Sequence, residues 1–115
     1  LDGRIISVEP WSPSLRSADD QFIDLGDSIL FPGFINAHCH LDYTDLAGQL
    51  APPRAFPDWI KAILAAKASW SDEDFVRSWK NGASQLLQHG TTTVANIETL
   101  PHELAGLRAS TPLRI

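Results

Sequence analysis

The sequence has no methionine, only one cysteine, and no apolar run approaching the roughly 18 residues that a membrane-spanning helix requires. A lone Cys39 makes no internal disulfide, so the fold does not depend on an oxidising compartment, and a cytoplasmic location is the expectation. Without any methionine, an initiator included, the chain is expected to begin inside a longer reading frame. The opening Leu1-Asp2-Gly3-Arg4 offers neither the basic leader nor the apolar segment of a secretory signal. Basic residues are also scarce, nine against 14 acids for a net charge of −5, and they are scattered. No cationic stripe exists to follow a phosphate backbone, which argues against nucleic acid as a partner, as the missing apolar span argues against membrane.

What is there fits an ordinary globular chain. At 115 residues, 43% hydrophobic and 20% charged, it is long enough to bury a core. Arg4 to Val8, Phe22 to Leu25 and Ile29 to Phe31 read as three short strands separated by a Pro/Ser-rich loop and a Gly26-Asp27 turn. After Pro32-Gly33 the pattern changes. Phe34 to Leu41 is apolar almost throughout, as a strand buried on both faces would be. A loop with Gly48, Pro52 and Pro53 leads to a helix through Trp59, Ile60, Ile63, Leu64 and Lys67, with Pro57 in its first turn.

Ser71 and Asp74 form a capping-box-like start to a second helix, whose stripe is Phe75, Trp79, Ala83, Leu86 and Leu87 and whose terminator is Gly90. Thr91 to Ile97 is a strand, Glu103 to Ala109 a short helix, and Leu113 to Ile115 the start of another strand. Strands alternating with helices predict an α/β fold with a parallel sheet. The expected organisation is residues 1–31 as an all-β piece of a small sheet and residues 32–115 as the first strands and helices of a truncated (β/α)₈ barrel, since a full barrel takes about 250 residues.

The chemistry is concentrated in His38-Cys39-His40. Side chains alternate faces along a strand, so the two imidazoles point one way and Cys39 the other. Two imidazoles at such spacing can share one metal ion, for which zinc is well suited and iron is an alternative. Histidines that merely pack or hydrogen-bond in a core would fit the same three residues. What favours a metal is the place of the pair, at the end of an apolar run and just before a polar loop, which is the C-terminal mouth of a parallel strand.

The segment Leu30-Phe31-Pro32-Gly33-Phe34-Ile35-Asn36-Ala37-His38-Cys39-His40-Leu41 resembles the first-strand signature of the amidohydrolase superfamily. Gly90-Thr91-Thr92-Thr93-Val94 is similar to its second barrel strand, and the opening strands resemble its small sandwich. Asn36 stands where hydantoinase and dihydroorotase relatives usually carry Asp, which points to the branch of cytosine, guanine and adenosine-type deaminases and triazine chlorohydrolases.

The resemblance implies one divalent metal held by His38, His40, a third His and an Asp, with a Glu moving protons. None of these latter residues lies within positions 1–115, so no catalytic residue is assigned here. The implied reaction is deamination, or dechlorination, of a nitrogen heterocycle by metal-bound hydroxide, and two ligands alone leave residues 1–115 inactive by expectation. A non-catalytic relative that keeps the scaffold and a two-metal cyclic amidase are the competing readings. Tyr43, Trp59 and Glu98 are the candidate substrate contacts: Tyr43 follows the metal strand, Trp59 could cover a flat ring, and Glu98 ends the second parallel strand. The expected partner is a small heterocycle, and a homo-oligomer is compatible with the sequence.

Overall fold

The computed structural model describes residues 3–52 and 55–115, so Pro53 of the expected Pro-rich loop and the Leu1-Asp2 start lie outside the described residues. The chain divides into two units, Leu1–Phe31 and Pro32–Ile115.

The first unit corrects the sequence reading. None of the three short strands expected before Pro32 forms. A strand exists by hydrogen bonding to a neighbour, and among the described residues these segments find none. Local side chains satisfy the backbone instead: Ser12 caps a 3₁₀ turn at Pro13–Leu15, Asp20 accepts from the Ser17 N–H, and Asp24 accepts from the Gly26 N–H. Trp11 and Phe22 approach with ring centroids 5.1 Å apart, while Ile5, Ile6, Val8, Ile29 and Leu30 stay exposed.

The second unit is α/β. Strand β1 (Phe34–Cys39) is followed by a 3₁₀ turn (Leu41–Leu46), helix α1 (Phe56–Lys67), helix α2 (Asp72–Gln88), strand β2 (Thr91–Asn96) and helix α3 (Leu104–Ala109). β1 and β2 pair in parallel, Phe34 opposite Thr91 and Cys39 opposite Asn96, with register shifts after Phe34 and between Asn36 and Cys39. A parallel pair cannot be joined by a tight turn, and the two helices supply the crossover. On the far side of β2, Arg114 exchanges backbone hydrogen bonds with Thr92 and Val94, so the expected third strand appears as a single parallel bridge.

Local chemistry explains the helices. Pro57 sits in the first turn of α1, where its missing N–H is no loss. The Ser71 hydroxyl accepts from the Asp74 N–H while the Asp74 carboxylate accepts from the Ser71 N–H, a complete capping box. That bond, and then the Arg77 guanidinium, hold the Asp74 carboxyl below its ordinary value. Gly90 closes α2 with φ +82°, a left-handed conformation that glycine adopts without strain.

α2 supplies most of the core. Trp79 and Ala83 are buried with Leu41, Val94, Leu107 and Leu113, and Cys39, Val76, Leu86, Leu87 and Ile115 pack around them. The expectation that β1 would be covered on both faces is not met among the described residues: Phe34 is 61% and Ile35 75% exposed. Among the described residues no helix is long and apolar enough to cross a membrane.

α2 lies against the 3₁₀ turn through its smallest residue. A Cβ at Gly82 would collide with the Thr44 hydroxyl and stand 2.9 Å from the Leu41 carbonyl oxygen. Gly82→Ala is therefore expected to cost about 1–3 kcal/mol by overpacking, against the usual gain from removing a helical glycine. The midpoint of urea unfolding checks it, and a variant as stable as the parent would show that the two elements can separate freely.

Candidate metal centre

His38, near the end of β1, and His40, the first residue after it, bring their rings together at the carboxyl end of the sheet. Their ring centroids are 5.2 Å apart and their planes are inclined at 74°. Cys39, between them, points to the core, where burial foremost, with a smaller push from the Asp42 charge, raises its thiol against the lowering effect of a His40 backbone hydrogen bond. Its packing against the core, away from the two rings, leaves it a filling role.

The strand end is held from three directions. The Cys39 carbonyl accepts from the Ile97 N–H at 2.8 Å, and the Leu41 N–H donates to the Asn96 side-chain oxygen, also at 2.8 Å. The Tyr43 N–H returns to the His40 carbonyl at 3.0 Å, starting the 3₁₀ turn. Ser78 on α2 then ties that turn down, donating to the Asp42 carbonyl and accepting from the Asp45 N–H.

Tyr43 stacks on His40, with ring centroids 4.5 Å apart and planes 14° from parallel. Burial and then the Asp42 charge push its phenol above the usual range, so it stays neutral at ordinary pH. Tyr43 and Trp59 also share a shallow cavity of about 200 Å³ with Leu46, Ala47, Leu50 and Ile63. The structure thus brings His38, His40 and Tyr43 together, and places Trp59 across that cavity from Tyr43. Neither this cavity nor a larger one of about 530 Å³, beside Val76, Arg77, Lys80 and Glu103, is lined by His38 or His40.

Glu98 has a different set of contacts from those a substrate ligand would keep open. Its carboxylate accepts from Trp79 Nε1 and Asn96 Nδ2 at 3.1 Å each, and from the Thr99 and Leu100 N–H groups at 3.0 and 3.1 Å. It orients the Asn96 amide whose oxygen holds Leu41. His89 bonds the Gln85 carbonyl at the end of α2, and His102 lies 3.3 Å from Asp72, both exposed.

Two residues to which the sequence reading gave no role in the site stand out here. Asp42 is fully buried and Lys67 nearly so, and the two form an ion pair beneath Tyr43. The signal was present: Lys67 falls on the apolar stripe of α1, and a cation on a buried stripe needs a counter-charge.

Whether these residues suit a metal can be judged from the donors. Two imidazoles that each bond a zinc at about 2.0–2.1 Å have ring centroids on the order of 5 Å apart, which matches the pair. Among the described residues no third His, Cys, Asp or Glu joins them in a group able to hold an ion.

Residues 29–112 match the amidohydrolase family. The chain is 34% identical to a 5-methylthioadenosine/S-adenosylhomocysteine deaminase of Saccharophagus degradans over 112 residues, covering 91% of this chain and 24% of that protein. It is 36% identical to the enzyme of that name from Teredinibacter turnerae over 105 residues, 89% of this chain and 24% of that protein. A 5'-deoxyadenosine deaminase of Methanosarcina mazei is 29% identical over 116 residues, 95% of this chain and 26% of its own. The chain thus spans about a quarter of the length of the curated relatives it matches. No solved structure matches it significantly.

Proposed function

The chain belongs to the amidohydrolase family, and from that premise we propose that it forms the first part of a metal-dependent hydrolase that removes an amino group from a nitrogen heterocycle. The single observation that carries the reading is the pair of imidazoles at the carboxyl end of β1, with ring centroids 5.2 Å apart. His38 and His40 are two ligands of one divalent ion, zinc by donor chemistry with iron as the alternative. When bound, such an ion supplies a nucleophile at neutral pH by bringing the pKa of water down to about 7.

The chain's own residues hold and orient. The Asn96 and Ile97 bonds to the β1 end fix the backbone that carries the ligands, and Tyr43 steadies the His40 ring. Tyr43, which touches His40, also borders a shallow apolar cavity with Trp59, and these two rings are the proposed contacts for a flat substrate. Glu98, with four donors on its carboxylate, serves as a positioning residue and not as a substrate contact. The remaining ligands and the proton-shuttling Glu come from segments outside residues 1–115. In the intact protein, residues 32–115 supply the opening strands of a (β/α)₈ barrel, and residues 1–31 take up strand pairing only with segments outside residues 1–115, as part of a small sandwich.

The names of the relatives favour deamination over dechlorination and an adenine-bearing nucleoside as substrate. The test is metal content together with ammonia release from 5'-methylthioadenosine and S-adenosylhomocysteine by the full-length protein. About one metal per chain with ammonia release is expected for this site type. Absence of stoichiometric metal would overturn the reading. A ratio near two with hydrolysis of a cyclic amide would replace it by the two-metal alternative.

A further inference from the structure

Ligand histidines are ordinarily held in place by a hydrogen bond from the ring nitrogen that faces away from the metal. Among the described residues neither the His38 nor the His40 ring has such a partner. Among the described residues the His40 ring instead meets two other rings, His38 inclined to it at 5.2 Å and Tyr43 stacked on it at 4.5 Å between centroids. Within the described residues, the contact that can hold the plane of the ring is its stack on Tyr43.

Tyr43 is fixed by a buried cation. The Lys67 ammonium lies 4.2 Å from the Tyr43 ring centroid, 4.4 Å from that of Phe75 and 5.8 Å from that of Trp70, inside an aromatic cage closed by the Asp42 carboxylate. Its side chain is only 8% exposed and that of Asp42 only 2%. Asp42 is in turn held by the Thr99 hydroxyl at 2.7 Å, from the loop after β2. Burying an ion pair is costly, and a hydrophobic pair of similar volume usually serves stability as well or better. A geometric role accounts for the pair where stability does not.

Resting on the metal-centre reading above, we propose that Lys67 is a positioning residue for that centre: caged with Asp42, it clamps the Tyr43 ring, and the clamped ring sets the orientation of His40. The clamp limits the rotation that His40 would otherwise lose on binding metal, and so raises affinity by preorganisation.

The experiment is zinc titration of the full-length protein by chelator competition, with the cobalt(II) absorption spectrum as a second readout and circular dichroism as the control for folding. Tyr43→Leu is expected to weaken zinc binding about tenfold or more, the size seen when a ligand histidine loses its support. Tyr43→Phe, which keeps the ring, retains parental affinity and the parental cobalt spectrum. Lys67→Met weakens binding too, and adds no further loss on top of Tyr43→Leu, because both act through one contact.

Parental affinity in folded Lys67→Met, or losses that add in full, would overturn the proposal. If Lys67→Met does not fold, the Asp42→Asn, Lys67→Met double variant is judged by the same criterion. Parental affinity in Tyr43→Leu overturns the proposal whatever the lysine variants do. A parent protein that binds no zinc sinks the metal centre and this inference with it, whereas a parent that binds zinc alongside equally competent Lys67 variants sinks the inference alone.

Discussion

Replacing both His38 and His40 by Ala is expected to strip the full-length protein of its metal while leaving it folded. Structural zinc sites are worth about 10–16 kcal/mol over four ligands, so two imidazoles account for something on the order of 6 kcal/mol, or about ten-thousandfold in affinity. Metal content should fall to background and ammonia release with it. The fold should survive because His38 is exposed and His40 only half-buried, and substitutions at such positions usually change stability by about 0.5 kcal/mol or less. Elemental analysis alongside a thermal melt separates the two effects. A double variant that kept its metal would show that the ion, if any, is bound elsewhere.

Asp42→Ala is expected to be the most destabilising single change near the site, at about 3–5 kcal/mol, since it leaves the Lys67 ammonium buried without a counter-charge. That is a large part of the roughly 5–15 kcal/mol that holds a typical domain together. The Thr99 hydroxyl loses its acceptor in the same step. Removing both charges, as in Asp42→Asn, Lys67→Met, should recover most of the loss, because the cost lies in the orphaned partner more than in the missing pair. Urea unfolding of the parent, the single variant and the double variant checks this. A loss under about 1 kcal/mol for Asp42→Ala would mean that water reaches the ammonium. The pair is not tuned for stability in any case: Asp42 Oδ1 is buried and has no partner among the described residues.

Several parts of the second unit were legible in the sequence because their causes are local. Ser71 with Asp74, Pro57 and Gly90 mark helix ends by chemistry that acts within four residues, and the helices start and stop beside them. The closeness of the His38 and His40 rings agrees with the two-residue period of a strand, which needs no partner to be inferred. What was not legible depends on distant residues. Arg4 to Val8 has the composition of a strand, yet a strand requires a neighbour, and the composition does not say where one is.

Glu98 was chosen as a pocket residue from its place after β2. Its engagement by Trp79 and Asn96 depends on how α2 lies against the sheet, which no periodicity announces. Tyr43 was singled out for its position after the metal strand, and the structure adds the contact that position could not supply, its stack on His40. The part played by Lys67 was half visible: the stripe on α1 marks it as inward-facing, but Asp42, Tyr43 and Phe75 come from other elements.

The bond from the Leu41 amide to the Asn96 side chain joins residues 55 positions apart in the chain. That hydrogen is hidden from solvent not by its own helix or strand but by a distant amide that Glu98 keeps turned toward it. Its deuterium exchange is therefore a clock for the parting of the two strand tips: it should run slowly while they stay joined, and at nearly the rate of an open peptide once the loop after Asn96 lets go.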